Sequence, residues 1–333
     1  MKKRALMILL LVALLVSTIG FTACASEPAE AIVIKATTFQ PGNVARSVAF
    51  VEFLTAIEEN SDGRIKVEYL GGPEVIAGTE QPLAVRNNTI QMAMVGGSQL
   101  IGLVPEALML GLSRISPAEE RSGGANALME GYFNDGGLHF VGRMDPKELG
   151  NFWIASNVEI KTLADFEGLR FVANGTYVKA VGDALGTSFS VIKQADAYTG
   201  LERGMSDMYC TALDVMAGIS IHEVTDYVID HPLYKSNMSI IMNKDLWDSM
   251  STDLQENVRA TYLEWEPKLV VFSTNGLNAG RKTFEDAGVK FIKLSDADAA
   301  KFLDIAFTKE AESRIGKLPE TGPPYLKLVG AID

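Results

Sequence analysis

The sequence predicts an exported α/β protein with two lobes and one long helix that spans both of them. Its 333 residues exceed what one hydrophobic core usually holds, and short apolar runs alternate with helical periodicity in two successive sets. Hydrophobic residues make up 47% and charged residues 22%, which excludes disorder and coiled coil as the main architecture. The net charge of −12 offers no basic surface for a phosphate backbone, so nucleic acid is excluded as a partner.

The amino terminus predicts export and attachment to a membrane. Basic residues at positions 2 to 4 precede an uncharged, mostly apolar run from Ala5 to Phe21, which is shorter than a membrane-spanning helix requires. The run ends in Phe21-Thr22-Ala23-Cys24, which resembles the bacterial lipobox, although Phe21 stands where leucine or valine is usual. We expect residues 1–23 to be a lipoprotein signal peptide, Cys24 to carry the lipid, and residues 24–31 to be a tether. The alternative is a secreted protein cut near Ala23 or Ala25.

The cysteines and histidines predict neither a disulfide framework nor a metal site. With Cys24 lipidated, Cys210 stands alone, so no intramolecular disulfide is expected. The three histidines, His139, His222 and His231, lack the helical spacing of metal ligands. The sequence also lacks the H-E-x-x-H, G-x-S-x-G and phosphate-loop motifs, so we predict no catalytic activity and no cofactor.

The first half of the mature chain predicts a parallel sheet covered by helices. Strand-like and helix-like segments alternate there, and the last of the strands is apolar throughout, as in a strand buried on both faces. The predicted elements are a strand from Ile32 to Thr38, a helix from Val44 to Ile57, a strand from Ile65 to Leu70, a helix from Glu80 to Asn87 and a strand from Gln91 to Val95.

The second half predicts another α/β set, followed by the long helix. Its strands are expected at Leu138 to Gly142, Phe152 to Ala155, Leu169 to Ala173, Ser188 to Ile192, Asn237 to Met242 and Val289 to Leu294; its shorter helices at Thr176 to Leu185, Ala195 to Arg203 and Ala297 to Arg314. The long helix begins with a capping box of Thr252 and Gln255, is kinked at Pro267 and reaches about Glu285. At about 30 residues it would measure roughly 45 Å and cross both lobes.

Several motifs resemble those of the extracytoplasmic solute receptors of tripartite ATP-independent periplasmic (TRAP) transporters, the DctP family. They keep the family's order and spacing from Ile32 to Leu294. The matching segments are Asn60 to Glu68 (family T-G-G-R-I-K-I-E), Gln91 to Val95 (D-M-A-L-V), Gly102 to Glu106, Leu163 to Arg170 (L-x-D-L-K-G-L-K), and Met242 to Met250 with Asp253 to Gln255 (M-N-K-x-x-W-D-S-L-P-x-D-L-Q).

The resemblance implies a monomeric, two-lobed binding protein of the periplasmic-binding-protein fold. It would close on a small ligand and deliver it to the membrane permease subunits of a TRAP transporter. We assign residues 32–150 and 237–275 to lobe I, and residues 151–236 and 276–333 to lobe II, with the ligand cleft between them. No metal or cofactor is implied.

The chain departs from the family where most members bind a carboxylate. The family arginine at the end of the G-L-K-x-R strand falls on Val172, or on Phe171 with a different gap, and neither side chain can pair with an acid. Arg170 points to the same face of the strand as Val172, so it is an alternative cation for the site. Thr211 stands where a ligand-binding asparagine is usual, and a second family arginine falls near Phe152 and Trp153.

These replacements predict a neutral, aromatic or heterocyclic ligand rather than a simple carboxylate. Several candidates also have a structural alternative. Trp153, Tyr177 and Tyr209 could serve in core or hinge packing, Asn174 could form a turn, and Glu80 could start its helix. The candidate ligand-binding residues are Phe39, Gln40, Glu80, Trp153, Arg170, Asn174, Tyr177, Tyr209 and Thr211.

Three other functions remain open at the level of sequence. The chain could be a receptor for an organic acid held by Arg170, a ligand-sensing receptor for a membrane sensor, or an exported enzyme. The missing catalytic motifs argue against the enzyme, whereas the sensor and the transport receptor would have the same sequence features.

Overall fold

The computed structural model describes residues 31–42, 44–144 and 151–333, and the predicted signal peptide and Cys24 lie outside these residues. It has two sheets covered by helices, so the predicted two-lobed α/β architecture is confirmed. Within the described residues, no helix combines the length and the apolar character needed to cross a membrane.

The first sheet has five strands in the order β2-β1-β3-β10-β4. β1 pairs in parallel with β2 and β3, and β10 inserts antiparallel between β3 and β4. Its strands are β1 (Ile32–Thr38), β2 (Ile65–Gly71), β3 (Met92–Val95), β4 (Leu138–Arg143) and β10 (Ser239–Asn243); its helices are α1 (Ala45–Asn60), α2 (Gln81–Arg86), α3 (Gly97–Leu100), α4 (Pro117–Ser122), α5 (Ala125–Asp135), α9 (Lys244–Ser249) and a 3-10 helix at Pro105–Leu112.

The second sheet has six strands in the order β11-β9-β5-β8-β6-β7. β6 pairs in parallel with β7 and β8, whereas β5 runs antiparallel to both β8 and β9. Its strands are β5 (Asn151–Ser156), β6 (Arg170–Ala173), β7 (Ser188–Val191), β8 (Met208–Thr211), β9 (Tyr227–Lys235) and β11 (Lys290–Ile292); its helices are α6 (Lys179–Ala184), α7 (Ala197–Glu202), α8 (Leu213–Gly218) and 3-10 helices at Leu163–Phe166, Gln194–Asp196 and Ile221–Glu223.

Strands β8 and β9 are absent from the elements that the sequence predicts. The absence of β9 has an identifiable reason. This strand contains Pro232, which has no backbone N–H to donate, and this residue type argues against a regular central strand. The structure accommodates it because the pairing with β5 is irregular there: Ile154 pairs with Ile229 and Phe152 with Tyr234, and the β9 residues between Ile229 and Tyr234 have no partner in β5.

The long helix α10 (Thr252–Asp286) has 35 residues and packs on α1 of the first lobe and α8 of the second. At 1.5 Å per residue it measures roughly 50 Å, and the prediction of a helix crossing both lobes is confirmed. The predicted capping box is wrong, because the N-cap residue is Ser251. Gln255 instead donates from Nε2 to the Trp247 carbonyl oxygen at 2.8 Å, tying α10 to α9.

The last part of the chain returns to the first lobe. Helix α11 (Asp296–Lys317) contacts α6 in the second lobe and the 3-10 helix at Pro105–Leu112 in the first. Helix α12 (Gly322–Leu328) then places Tyr325 and Leu326 in the same buried cluster as Phe133 and Phe140. We assigned residues 276–333 to lobe II, but α12, which lies in this range, packs its apolar face against helices of the first lobe.

Candidate ligand-binding cleft

A cleft of about 700 Å³ lies between the two sheets, within the usual size range of small-molecule sites. Its walls come largely from segments that follow the carboxyl ends of parallel strands, where α/β folds commonly place their ligands. The first lobe contributes Phe39, Gln40, Arg46, Ser98 and Gln99; the second contributes Phe152, Asn174, Tyr177, Thr211, Asp214 and Tyr234.

Three rings of the second lobe form an aromatic cluster, defined here as Phe152, Tyr177 and Tyr234. The Phe152 and Tyr177 ring centroids lie 5.0 Å apart in an edge arrangement, and Tyr177 stacks on Tyr234 at 5.3 Å. The Phe152 and Tyr234 centroids are 5.5 Å apart. All three rings line the cleft, but Tyr177 and Tyr234 are buried and Phe152 is half-buried, so the apolar surface that this wall offers is mainly the Phe152 ring.

A polar network continues from this cluster along the rim of the cleft. The Tyr177 hydroxyl lies 2.6 Å from Asn174 Oδ1 and 2.9 Å from the Cys210 carbonyl oxygen, either of which can accept its proton. Asn174 Nδ2 donates in turn to Gln194 Oε1 at 3.2 Å. Burial raises the pKa of Tyr177 well above its usual range, so the phenol stays neutral and remains a donor. Asn174 thus follows the end of β6, as predicted for a turn residue, and also lines the cleft.

The first-lobe wall holds Gln40 close to the end of β1. The Gln40 carbonyl oxygen accepts hydrogen bonds from Thr38 Oγ1 at 2.8 Å and from Ser47 Oγ at 3.4 Å, which fixes the loop before α1. Its side-chain Oε1 is buried and accepts no hydrogen bond from the described residues. Phe39 lies beside it in the same wall.

An ion pair joins the two lobes at the cleft. Arg46, in the first turn of α1, donates from Nη1 to Asp214 Oδ2 of α8 at 2.7 Å, and the two side chains are only 6% and 19% exposed. Neither residue is among the sequence candidates. The sequence did contain a pattern that could have identified Arg46. This arginine shares one helix face with the apolar residues Ala49, Phe50 and Phe53, which are buried. An arginine on such an apolar face usually has a buried partner.

Two predicted aromatic contacts, Trp153 and Tyr209, do not line the cleft. Both pack with Leu201 and Leu213 in a cluster on the other face of the second sheet. Tyr209 is fully buried, and burial raises its pKa. Because side chains alternate along a strand, the ring of β5 that reaches the cleft is Phe152 rather than its neighbour Trp153.

Arg170 lies at the amino-terminal end of β6, away from the cleft. Asn174 follows the other end of this strand, so roughly 13 Å of extended chain separates the two positions. The Arg170 side chain pairs with both carboxylate oxygens of Asp207 and also contacts the Gly204 carbonyl oxygen. Val172, at the position of the family arginine, is buried in the core. Glu80 is exposed, precedes α2 as its N-cap and does not line the cleft either.

The structure therefore brings together five of the candidates, and their contact with a ligand stays a prediction. They are Phe39, Gln40, Asn174, Tyr177 and Thr211. The free cysteine, Cys210, is buried directly beneath them in β8, and burial raises the pKa of its thiol, which keeps it protonated and unreactive.

Residues 36–308 match the DctP family, described as bacterial extracellular solute-binding protein, family 7. The chain belongs to this family. The DctP resemblance seen in the motifs is thus confirmed, and the protein is an extracytoplasmic solute-binding protein for small ligands rather than an enzyme.

A named relative and several solved structures are similar to this chain over most of its length. The 2,3-diketo-L-gulonate-binding periplasmic protein YiaO of Escherichia coli is 24% identical over 301 residues, 86% of this chain and 88% of that protein. A TRAP solute-binding protein from Desulfovibrio salexigens with bound orotic acid superposes with a TM-score of 0.78, at 18% identity, covering 90% of this chain and 97% of that one. DctP6 of Bordetella pertussis, which binds pyroglutamic acid, has a TM-score of 0.73, at 14% identity, covering 90% and 100%.

Proposed function

We propose that this DctP-family protein captures a small aromatic or heterocyclic compound by lobe closure and delivers it to the membrane permease of a TRAP transporter. Residues 32–150 with 237–275, together with α12, would move against residues 151–236 with the remainder of the chain. A monomer suffices for this function, because both walls of the cleft come from one chain.

The observation that carries the proposal is the aromatic cluster facing the polar first-lobe wall. A flat ligand can stack on Phe152, which Tyr177 and Tyr234 support from behind, while its edge reaches Gln40 and Asn174. Since the two walls belong to different lobes, such a ligand makes its full set of contacts only when the lobes are closed. Ligand binding would therefore shift the population towards the closed form.

The charges in the cleft also favour a ring compound over an open-chain acid. Arg46 is already paired with Asp214, so a second carboxylate approaching the guanidinium would meet a negative charge nearby. Arg170, the cation considered for an organic acid, is held by Asp207 at the other end of its strand. The orotic and pyroglutamic acids bound by the two structural relatives carry a carboxyl group, but both are heterocycles.

Calorimetric titration of the mature protein tests the ligand class. The panel contains neutral rings (uracil, nicotinamide), ring acids (orotate, pyroglutamate) and open-chain acids (malonate, succinate). We expect a ring compound to bind most tightly, and Phe152→Ala to weaken that binding by about 1–3 kcal/mol because the stacking surface is lost. Phe291→Ala is the matched control, since this half-buried ring of the same lobe packs under Arg281 and away from the cleft. Tightest binding by malonate or succinate would refute the ring proposal.

We further propose that the mature protein is attached to the membrane through lipid on Cys24. The basic, apolar and small-residue pattern of residues 1–24 supports this. After cell fractionation we expect the wild type in the membrane fraction and Cys24→Ala in the soluble fraction. Cys210→Ala, which removes the buried cysteine of β8, should leave the protein with the membrane. A soluble wild type would show that the signal is cut without lipidation.

A further inference from the structure

The segment between strands β9 and β10 crosses from the second lobe to the first. Near the end of β9, Tyr234 pairs with Phe152 of the second sheet, whereas Ser239 begins β10 of the first sheet. Asn237 lies between them, is half-buried and lines the cleft. A residue in this position lies where the chain has to rotate when the lobes move relative to each other.

The side chain of Asn237 forms one hydrogen bond towards each lobe. Its Oδ1 accepts the backbone N–H of Gly97, the first residue of α3 in the first lobe, at 3.2 Å. Its Nδ2 donates to the Tyr234 hydroxyl, in the aromatic cluster of the second lobe, at 3.0 Å. The amide of Asn237 therefore connects the two lobes at the point where the chain crosses between them.

Two glycines leave room for this connection. A Cβ added at Gly97 would lie 2.7 Å from Asn237 Cγ, and one added at Gly111 would lie 2.6 Å from the Tyr234 hydroxyl oxygen. Both distances are too short for two atoms in van der Waals contact, so a larger residue at either position would displace the side chain opposite it. The two glycines thus allow Asn237 and Tyr234 to lie directly against the first lobe.

The turn that Asn237 holds also faces the second lobe across the cleft. Ser98, which follows Gly97, is exposed at the cleft. A Cβ added at Gly175, in the loop between β6 and α6 of the second lobe, would lie 3.5 Å from Ser98 Oγ. The two lobes therefore approach each other closely at this point, and the hydrogen bond from Gly97 to Asn237 restrains the first-lobe side of the approach.

We propose that Asn237 is a positioning residue for lobe closure. By holding the turn at Gly97 and Ser98 together with Tyr234, it sets the spacing between the two walls of the closed cleft. This inference rests on the proposed capture of a ligand by lobe closure and assigns part of that motion to one side chain. Without the amide, the closed form holds a ligand less firmly, so the ligand leaves faster, whereas its first encounter with the open cleft is unchanged.

Hydrogen exchange followed by mass spectrometry tests the proposal on the ligand-free mature protein. Asn237→Leu keeps the approximate size of the side chain and removes both hydrogen bonds. We expect the peptide containing Gly97 to exchange about fivefold faster, the change expected for one hydrogen bond of ordinary strength. The peptide containing Gly175, in the other lobe, should also exchange faster, because the turn that faces it is no longer held.

Asn157→Leu is the matched control. Asn157 is also a half-buried amide, and it donates from Nδ2 to the Leu201 carbonyl oxygen at 3.3 Å within the second lobe, away from the cleft. This variant should leave the exchange of both peptides as in the wild type.

Two further variants separate positioning from damage to the fold. Asn237→Asp retains an acceptor for the Gly97 N–H, so the Gly97 peptide should keep its slow exchange. Gly97→Ala displaces the amide from the other side and should reproduce the fast exchange of Asn237→Leu. Fast exchange in Asn237→Asp, or an unchanged Gly175 peptide in Asn237→Leu, would overturn the proposal, because the effect would then be local to the crossing segment.

Binding kinetics distinguish this inference from the function on which it rests. With orotate and pyroglutamate as probes, surface plasmon resonance should show dissociation about 3- to 10-fold faster for Asn237→Leu and an association rate within about twofold of the wild type. Equal dissociation rates would overturn the role of Asn237 while leaving a receptor that binds these rings. Binding of malonate or succinate in place of both rings would overturn the ring proposal, whereas the ligand-free exchange comparison decides the role of Asn237 by itself.

Discussion

Replacing Glu120 with glutamine should lower the free energy of unfolding by about 3 kcal/mol or more, within the range known for breaking buried ion pairs. Glu120 of α4 accepts a hydrogen bond from Arg143 Nη1 at 2.5 Å, and both side chains are only 3% exposed. The Arg143 guanidinium also donates to the Leu110 carbonyl oxygen at 2.8 Å, so it cannot leave the interior without breaking further contacts. The substitution would take the Glu120 carboxylate away from a buried positive charge.

Urea unfolding followed by circular dichroism measures this effect. Asp286→Asn is the control, because Asp286 pairs with Lys282 on the solvent-exposed surface of α10 and its loss should leave the unfolding midpoint unchanged. The double variant Glu120→Leu with Arg143→Met should recover much of the lost stability, since it removes both charges. A midpoint for Glu120→Gln equal to that of the wild type would mean that the pair is solvated in solution.

Replacing Gly280 with alanine should destabilise the protein by about 3 kcal/mol, at the upper end of the usual cost of overpacking. An added Cβ would lie 2.6 Å from the Asp214 backbone nitrogen and 2.7 Å from the Leu213 carbonyl carbon. These are backbone atoms, so they cannot move aside as the tip of a flexible side chain would. Helix α8 would have to shift away from α10, and Asp214 would shift with it.

Gly276→Ala, one helical turn earlier, is the matched control. Its Cβ would lie 3.5 Å from Asp214 Oδ2, an ordinary contact distance, and alanine favours the helix over glycine. Thermal unfolding should therefore separate the two variants clearly, and calorimetry should show weaker ligand binding for Gly280→Ala alone. Equal stability of the two variants would contradict the close packing of α8 on α10.

Local pattern was sufficient to predict most of the fold. The alternation of apolar runs and helical periodicity predicted nine of the eleven strands in the described residues and the helices α1, α2, α6, α7 and α11, and the length of the helical stretch predicted α10; it did not predict β8, β9 or the remaining short helices. What it could not predict depends on contacts between distant segments. The irregular pairing that accommodates Pro232 in β9 requires β5 as a partner, and the return of α12 to the first lobe depends on packing against the cluster of Phe133 and Phe140.

In the candidate site, too, local sequence could not predict which side chains are brought together by contacts between distant segments. Phe39 and Asn174 follow strands, so their position at the cleft can be read from the order of elements. Phe152 and Trp153 are neighbours in one strand, and only the pairing of that strand decides which ring reaches the cleft. Asp214 lies 168 residues from Arg46 in the sequence, so the ion pair becomes visible only once both lobes are in place.

The return of the carboxyl terminus to the first lobe affects the order in which the parts of the protein can fold. Tyr325 and Leu326 belong to the same buried cluster as Val85 and Leu138, so the amino-terminal half cannot complete its interior until the ribosome has released almost the whole chain. Domains often fold during synthesis, in order from the amino terminus. We expect the final helix to postpone that step here, which would give an export machinery time to engage a nascent polypeptide that has not yet folded.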